Sequence, residues 1–167
     1  MDIRIAGTVE DSIVDGPGLR FVVFVQGCPH HCEGCHNPET HDFSAGKLTT
    51  TDALYEMCME NPLCSGVTFS GGEPFCQPEA LYELGSRFKD AGKHLMCYSG
   101  WTFEELLKKS VREEYVGKLL SILDVLVDGR FDISKRSLSL LFRGSSNQRL
   151  IDVPASLTNG EAVELPE

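Results

Sequence analysis

Three cysteines, Cys28, Cys32 and Cys35, stand in C-x3-C-x2-C spacing within residues 27–38 (GCPHHCEGCHNP). One short loop can therefore bring three thiolates together. A cubane iron–sulfur cluster is normally held by four thiolates, so three leave one iron open to a chelating ligand. The competing chemistry is a zinc site completed by His30, His31, His36 or His41, because three cysteines and a histidine form a known zinc set. Spacings of three and two in a single loop match the paired spacings of structural zinc poorly.

A second motif, Ser70-Gly71-Gly72-Glu73-Pro74, pairs two glycines with an acid. Glycine lets backbone approach a ligand closely, and a carboxylate suits an ammonium group. Alone, the Gly-Gly pair reads as a turn that ends a strand. Beside the cysteine loop it reads as the binding wall for a cluster ligand, and a valine at Gly72 is expected to weaken that ligand while sparing the cluster.

These motifs need a scaffold. Residues 21–25 (FVVFV), 66–70 (GVTFS), 94–98 (HLMCY) and 125–127 (VLV) are apolar, β-rich runs that are each followed within two residues by glycine, the pattern of buried parallel strands. Helices are expected over 51–60, capped by Thr50 or Thr51, and over 78–91, with Pro78 in the first turn and Gly92 as terminator. Two more fit 102–109, where Thr102 and Glu105 have capping-box spacing, and 113–122. Alternating strands and helices imply an α/β fold with a mainly parallel sheet, whose sites gather at the carboxyl ends of the strands. Residues 150–153 are expected to add a last strand. The division expected is one domain over 1–153 and an acidic, loose C-terminal tail over 154–167.

The chain has 167 residues, 41% hydrophobic, which suits one globular domain. Its net charge of −10 argues against nucleic acid and against anionic membranes. The exception is the window 128–149, where Arg130, Lys135, Arg136, Arg143 and Arg149 face only Asp128 and Asp132, a local +3. No secretory signal or membrane-length apolar run is legible, so a cytoplasmic protein is expected. Seven cysteines in that setting point to reduced thiols or metal ligation. Cys58, Cys64, Cys76 and Cys97 are widely spaced on predicted elements and read as packed thiols, and Trp101 as core or rim packing.

The cysteine loop after the first apolar strand, with Gly-Gly-Glu-Pro after the second, resembles the radical S-adenosylmethionine (SAM) superfamily. Residues 12–20 (SIVDGPGLR), 35–40 (CHNPET), 127–130 (VDGR) and 143–148 (RGSSNQ) narrow the resemblance to the activating proteins of anaerobic ribonucleotide reductases. Gly34, where many superfamily members carry an aromatic residue, fits that narrower family. The resemblance implies a partial, open parallel (β/α) barrel in which Cys28, Cys32 and Cys35 hold a 4Fe-4S cluster and SAM chelates the fourth iron. Gly34, Cys35 and His36 would run beside the adenine, Gly71, Gly72 and Glu73 would receive the methionine amino group, and Ser99 and Asp128 would make lesser contacts. Flavodoxin or ferredoxin would supply an electron that cleaves SAM, and the deoxyadenosyl radical would take hydrogen from a glycine of anaerobic ribonucleoside-triphosphate reductase. An activase of another glycyl radical enzyme is the nearest alternative, and a small zinc-binding interaction module is the alternative of a different class.

Overall fold

The computed structural model describes residues 1–166. Its strands are β1 (Asp2–Ser12), β2 (Arg20–Val25), β3 (Lys47–Thr50), β4 (Gly66–Gly71), β5 (His94–Tyr98), β6 (Val125–Asp128) and β7 (Arg149–Asp152). The α-helices are α1 (Thr51–Met59), α2 (Pro78–Asp90), α3 (Phe103–Ser110), α4 (Glu114–Ile122) and α5 (Val153–Asn159). The strands form one mixed sheet in the order β3-β1-β2-β4-β5-β6-β7. Its centre, β2-β4-β5-β6, is parallel, while β1 pairs antiparallel with β2, β3 antiparallel with β1, and β7 antiparallel with β6.

Strand pleating divides the core. Phe21, Val23 and Val25 of β2, Val67 and Phe69 of β4, and Leu95 and Cys97 of β5 point to the helices, where they meet Leu54, Leu81, Leu84, Phe88, Leu106 and Leu119. Each such side chain, fully buried, contributes about 1.5–3 kcal/mol. The alternate residues face the other way. There Met96, Val125, Val127 and Leu150 form a smaller cluster with Tyr98, Phe142 and Leu165. Loops, not helices, cover this second face.

One of those loops, residues 13–19, is held by Arg20. Its guanidinium is fully buried and donates to Thr68 Oγ1 at 2.8 Å, Val67 O at 2.7 Å, Pro17 O at 2.9 Å and His94 O at 3.1 Å. Four acceptors compensate a buried cation that otherwise has a steep desolvation cost. Thr68 Oγ1 in turn donates to Asp15 O at 2.7 Å, which lays the loop across the sheet.

The four expected parallel strands and the expected helices are present, with Thr50 capping α1 and a complete Thr102–Glu105 capping box on α3. The segment after Val153 differs from a loose tail. Asp152 accepts from Ala155 N at 3.0 Å to start α5, Gly160 ends it at φ 76°, and the chain returns to pair Leu165 N with Leu150 O at 2.8 Å. That return covers the β7 edge, which would otherwise present unpaired backbone groups. No helix among the described residues is long and apolar enough to cross a membrane.

Candidate active site

At the carboxyl ends of the parallel strands lies a cavity of about 520 Å³. Phe24, Ser70 and Tyr98 reach it because they share the pleat that faces away from the helices. Cys28, Cys32, Cys35, His36, Gly71, Gly72 and Ser99 line it as well, so most of the expected site residues converge.

The loop after β2 is folded on itself. Gly27 N donates to Thr40 O at 2.7 Å, Cys28 N to His41 O at 3.2 Å, and the Gln26 side chain to Glu39 O and Asp42 O at 3.0 and 2.7 Å. Cys35 N closes a turn onto Cys32 O at 3.2 Å, and Asn37 N points at Cys35 Sγ from 3.5 Å. Gly34 adopts φ 72°, a region costly for other residues, and a β-carbon there would lie 2.6 Å from Ile133 Cδ1. Glycine at this position thus answers to the residues 131–133 that pack on the loop.

All seven cysteines are free. Burial, and then the nearby Glu73, Cys32 and Cys35, pushes the Cys28 thiol above its ordinary range. Burial, followed by Cys35, does the same to Cys32. Folded-state thiols held protonated must lose protons to bind metal, so cluster uptake is favoured as pH rises.

The donor set fits a cluster better than a single zinc. Of the histidines a zinc site would recruit, His30, His36 and His41 reach the same cavity as the thiols, but all four already have other partners. His30 Nε2 is 2.7 Å from Glu73 Oε1, His31 and His41 face each other at 5.6 Å, and His36 packs on Phe131 at 5.0 Å. Three thiols on one wall, with no fourth cysteine among the described lining residues, match a cluster with an open iron.

Three expected contacts lie off the cavity. Glu73 is fully buried and its carboxylate accepts from Phe75 N at 2.9 Å, Gly100 N at 2.8 Å and Ser99 Oγ at 2.9 and 3.0 Å. A buried carboxylate demands such donors, and they turn it into the protein, away from an approaching ammonium group. Asp128 is buried beneath Arg149, whose Nε and Nη2 lie 3.0 and 2.5 Å from its oxygens, and it also accepts from Phe103 N at 2.7 Å. Gly34 likewise shapes the loop without lining the cavity.

Arg149 also reaches Glu104 at 2.6 Å, and Arg130 lies 3.8 Å from Glu105. Both belong to the basic window but are paired with acids of α3, so Lys135 and Arg136, both exposed, form its outward part. Further lining residues were not singled out from sequence: Val14, Asp15, Phe24, Tyr98, Phe131 and Phe142. Asp15 sits inside the 12–20 motif and Arg143, Gly144 and Gln148 inside the 143–148 motif, which was the available signal.

Residues 14–151 match the family described as a 4Fe-4S single cluster domain. The anaerobic ribonucleoside-triphosphate reductase-activating protein of Haemophilus influenzae is 34% identical over 146 residues, covering 81% of this chain and 89% of that protein. The protein of the same name from Enterobacteria phage T4 is 32% identical over 146 residues, 82% of this chain and 86% of its own. A pyruvate formate-lyase-activating enzyme from Clostridium pasteurianum is 40% identical over 114 residues, but these are 63% of this chain and 48% of that enzyme. Among solved structures, QueE from Escherichia coli aligns at a TM-score of 0.51 with 17% identity, over 61% of this chain and 54% of that one, a likeness of fold.

Proposed function

The chain belongs to the anaerobic ribonucleoside-triphosphate reductase-activating proteins and carries their 4Fe-4S single cluster domain, and from that premise we propose that it reductively cleaves SAM to install a glycyl radical on the reductase. The observation that carries this reading is that Cys28, Cys32 and Cys35 line one cavity together with Gly71, Gly72 and Ser99. A cluster held by those thiols supplies the electron and an open iron for the amino acid end of SAM. Flavodoxin or ferredoxin delivers that electron, and the reaction takes place in the cytoplasm, where seven free cysteines remain reduced.

The remaining work falls to this chain's own residues. The backbone of Gly71 and Gly72 and the Ser99 hydroxyl receive the methionine portion, with Glu73 bracing that wall from behind. His36 and the backbone at Gly34 and Cys35 take the adenine side. Asp128 acts at one remove, by fixing Arg149 and the start of α3. Phe24, Tyr98, Phe131 and Phe142 limit water around the reacting carbon, and the Tyr98 hydroxyl is occupied at 2.7 Å by Phe142 O. The sheet with its loop-covered face is read here as the partial, open (β/α) barrel that the resemblance implies, whose open side would admit a glycine from a second folded protein.

The test is reductive cleavage by the anaerobically reconstituted chain. Methionine and 5′-deoxyadenosine are expected in equal amounts under a strong reductant. A cluster-loaded chain that leaves SAM intact overturns the proposal. The Clostridium relative's 40% identity supports a second reading, activation of pyruvate formate-lyase; the partner that accepts a radical separates the two.

The exposed Lys135 and Arg136, on a chain of net charge −10, motivate a prediction about the partner. Cations beside the cavity steer an acidic surface and raise association rates. Charge reversal to Lys135→Glu and Arg136→Glu is expected to lower glycyl radical yield about tenfold at low salt, with cluster content and partner-free SAM cleavage intact. The defect shrinks as salt screens the interaction. Unchanged reductase affinity at low salt removes this segment from the docking surface.

A further inference from the structure

We propose that His30 is a positioning residue, which ties the cysteine loop through Glu73 to the turns after β4 and β5 and so fixes the cluster wall against the Gly71–Ser99 wall. The inference rests on the cluster reading above and assigns Glu73 to the cluster loop instead of to the ligand. His30 lies between Cys28 and Cys32, yet its side chain is only 4% exposed, with Nε2 2.7 Å from Glu73 Oε1. The carboxylate it meets gathers donors from two other turns, Phe75 N after β4 and Ser99 Oγ and Gly100 N after β5. Glu73 N donates to Gly27 O at 2.8 Å, a second tie to the same loop.

The surroundings are shaped around the ring. A β-carbon at Gly100 would meet His30 Cδ2 in a clash and stand 2.6 Å from Nε2, so this position admits the histidine only as glycine. Trp101 packs edge-on against the ring at 4.7 Å and 76°, and Lys109 Nζ covers the other aromatic at 4.3 Å. The next residue, His31, holds φ 52°, a left-handed conformation that persists in a non-glycine residue only where neighbours over-determine it. His30 is the anchor immediately before that bend, and Cys32 follows immediately after it. The contact therefore acts on the direction in which the loop presents its second thiol, the role of the hydrogen-bonded residues that orient metal ligands elsewhere.

Two variants separate the hydrogen bond from simple packing. His30→Phe keeps a ring against Trp101 and removes the N–H; His30→Gln removes the ring and keeps an N–H donor. Iron release to a chelator from the anaerobically loaded protein is expected to quicken about 10–100-fold in His30→Phe, the usual scale for loss of a residue that orients a metal ligand. His30→Gln is expected to recover most of it. Glu73→Gln is expected to quicken release similarly while changing SAM affinity of the loaded protein less than its iron release. Release at the wild-type rate in His30→Phe, or equal loss in both His30 variants, overturns the inference. So does a Glu73→Gln variant that keeps its iron and loses SAM affinity, since Glu73 would then act on the ligand. A wild-type chain that takes up no cluster overturns the cluster reading itself, a result distinct from these.

Discussion

Replacing Cys28, Cys32 or Cys35 singly by alanine is expected to abolish cluster assembly and SAM cleavage, whereas Cys58→Ala and Cys97→Ala retain both. The remaining two thiolates cannot hold a cubane that has only three protein ligands to begin with. Thiol acidity does not make this distinction, because burial raises Cys28 and Cys32 as it raises Cys97, and as it pushes Cys58 and Cys76 up to about 12. Access does. Cys28, Cys32 and Cys35 open on the cavity, while Cys58 and Cys64 face each other at 3.8 Å beneath α1 and Cys97 lies in the helix-side core. Iron content and the cluster absorption of reconstituted variants provide the measurement. A single variant of the three that keeps its iron and cleaves SAM contradicts the ligand assignment.

Gly72→Val is expected to remove cluster and SAM binding together. Sequence alone reads the glycine as room for a ligand and expects iron to stay. The structure changes that expectation, because a β-carbon at Gly72 would collide with Gly27 O and stand 2.8 Å from Gly27 C and 2.9 Å from Thr40 O. All three atoms are backbone of the cysteine loop, already pinned by Gly27 N to Thr40 O at 2.7 Å. Overpacking costs about 1–3 kcal/mol where side chains can shift, and here no side chain is available to yield. Iron content and SAM titration of the variant decide the matter. Iron near wild type with weakened SAM affinity would show that Gly72 faces the ligand and not the loop.

The parallel centre of the sheet was legible because both its faces are covered. Residues 21–25, 66–70, 94–98 and 125–127 are nearly unbroken in apolar character, and each becomes a strand. β1 escaped detection because Arg4, Thr8 and Glu10 interrupt it and its pairing with β2 shifts register twice. β3 is four residues at the sheet edge, too short for a pattern. α5 carried signals in Asp152, Pro154 and Gly160 that its acidic setting masked.

The site was legible where it depends on neighbours in sequence and illegible where it depends on distant ones. The convergence of Cys28, Cys32 and Cys35 follows from one loop. The burial of Glu73 follows from donors on the turn after β5 and from His30, and the pairing of Asp128 with Arg149 follows from an antiparallel strand. A count of charges placed Arg149 in the basic window; the fold assigns it to Asp128 and Glu104.

Electron paramagnetic resonance of the complete mixture detects the product radical itself. The anaerobically reconstituted chain, SAM, a reductant and anaerobic ribonucleoside-triphosphate reductase are combined and frozen. A glycyl radical signal is expected on the reductase that requires SAM and disappears with Cys28→Ala, Cys32→Ala or Cys35→Ala. A mixture in which the cluster is loaded and SAM is cleaved, yet no glycyl radical forms on the reductase, contradicts the proposed activation.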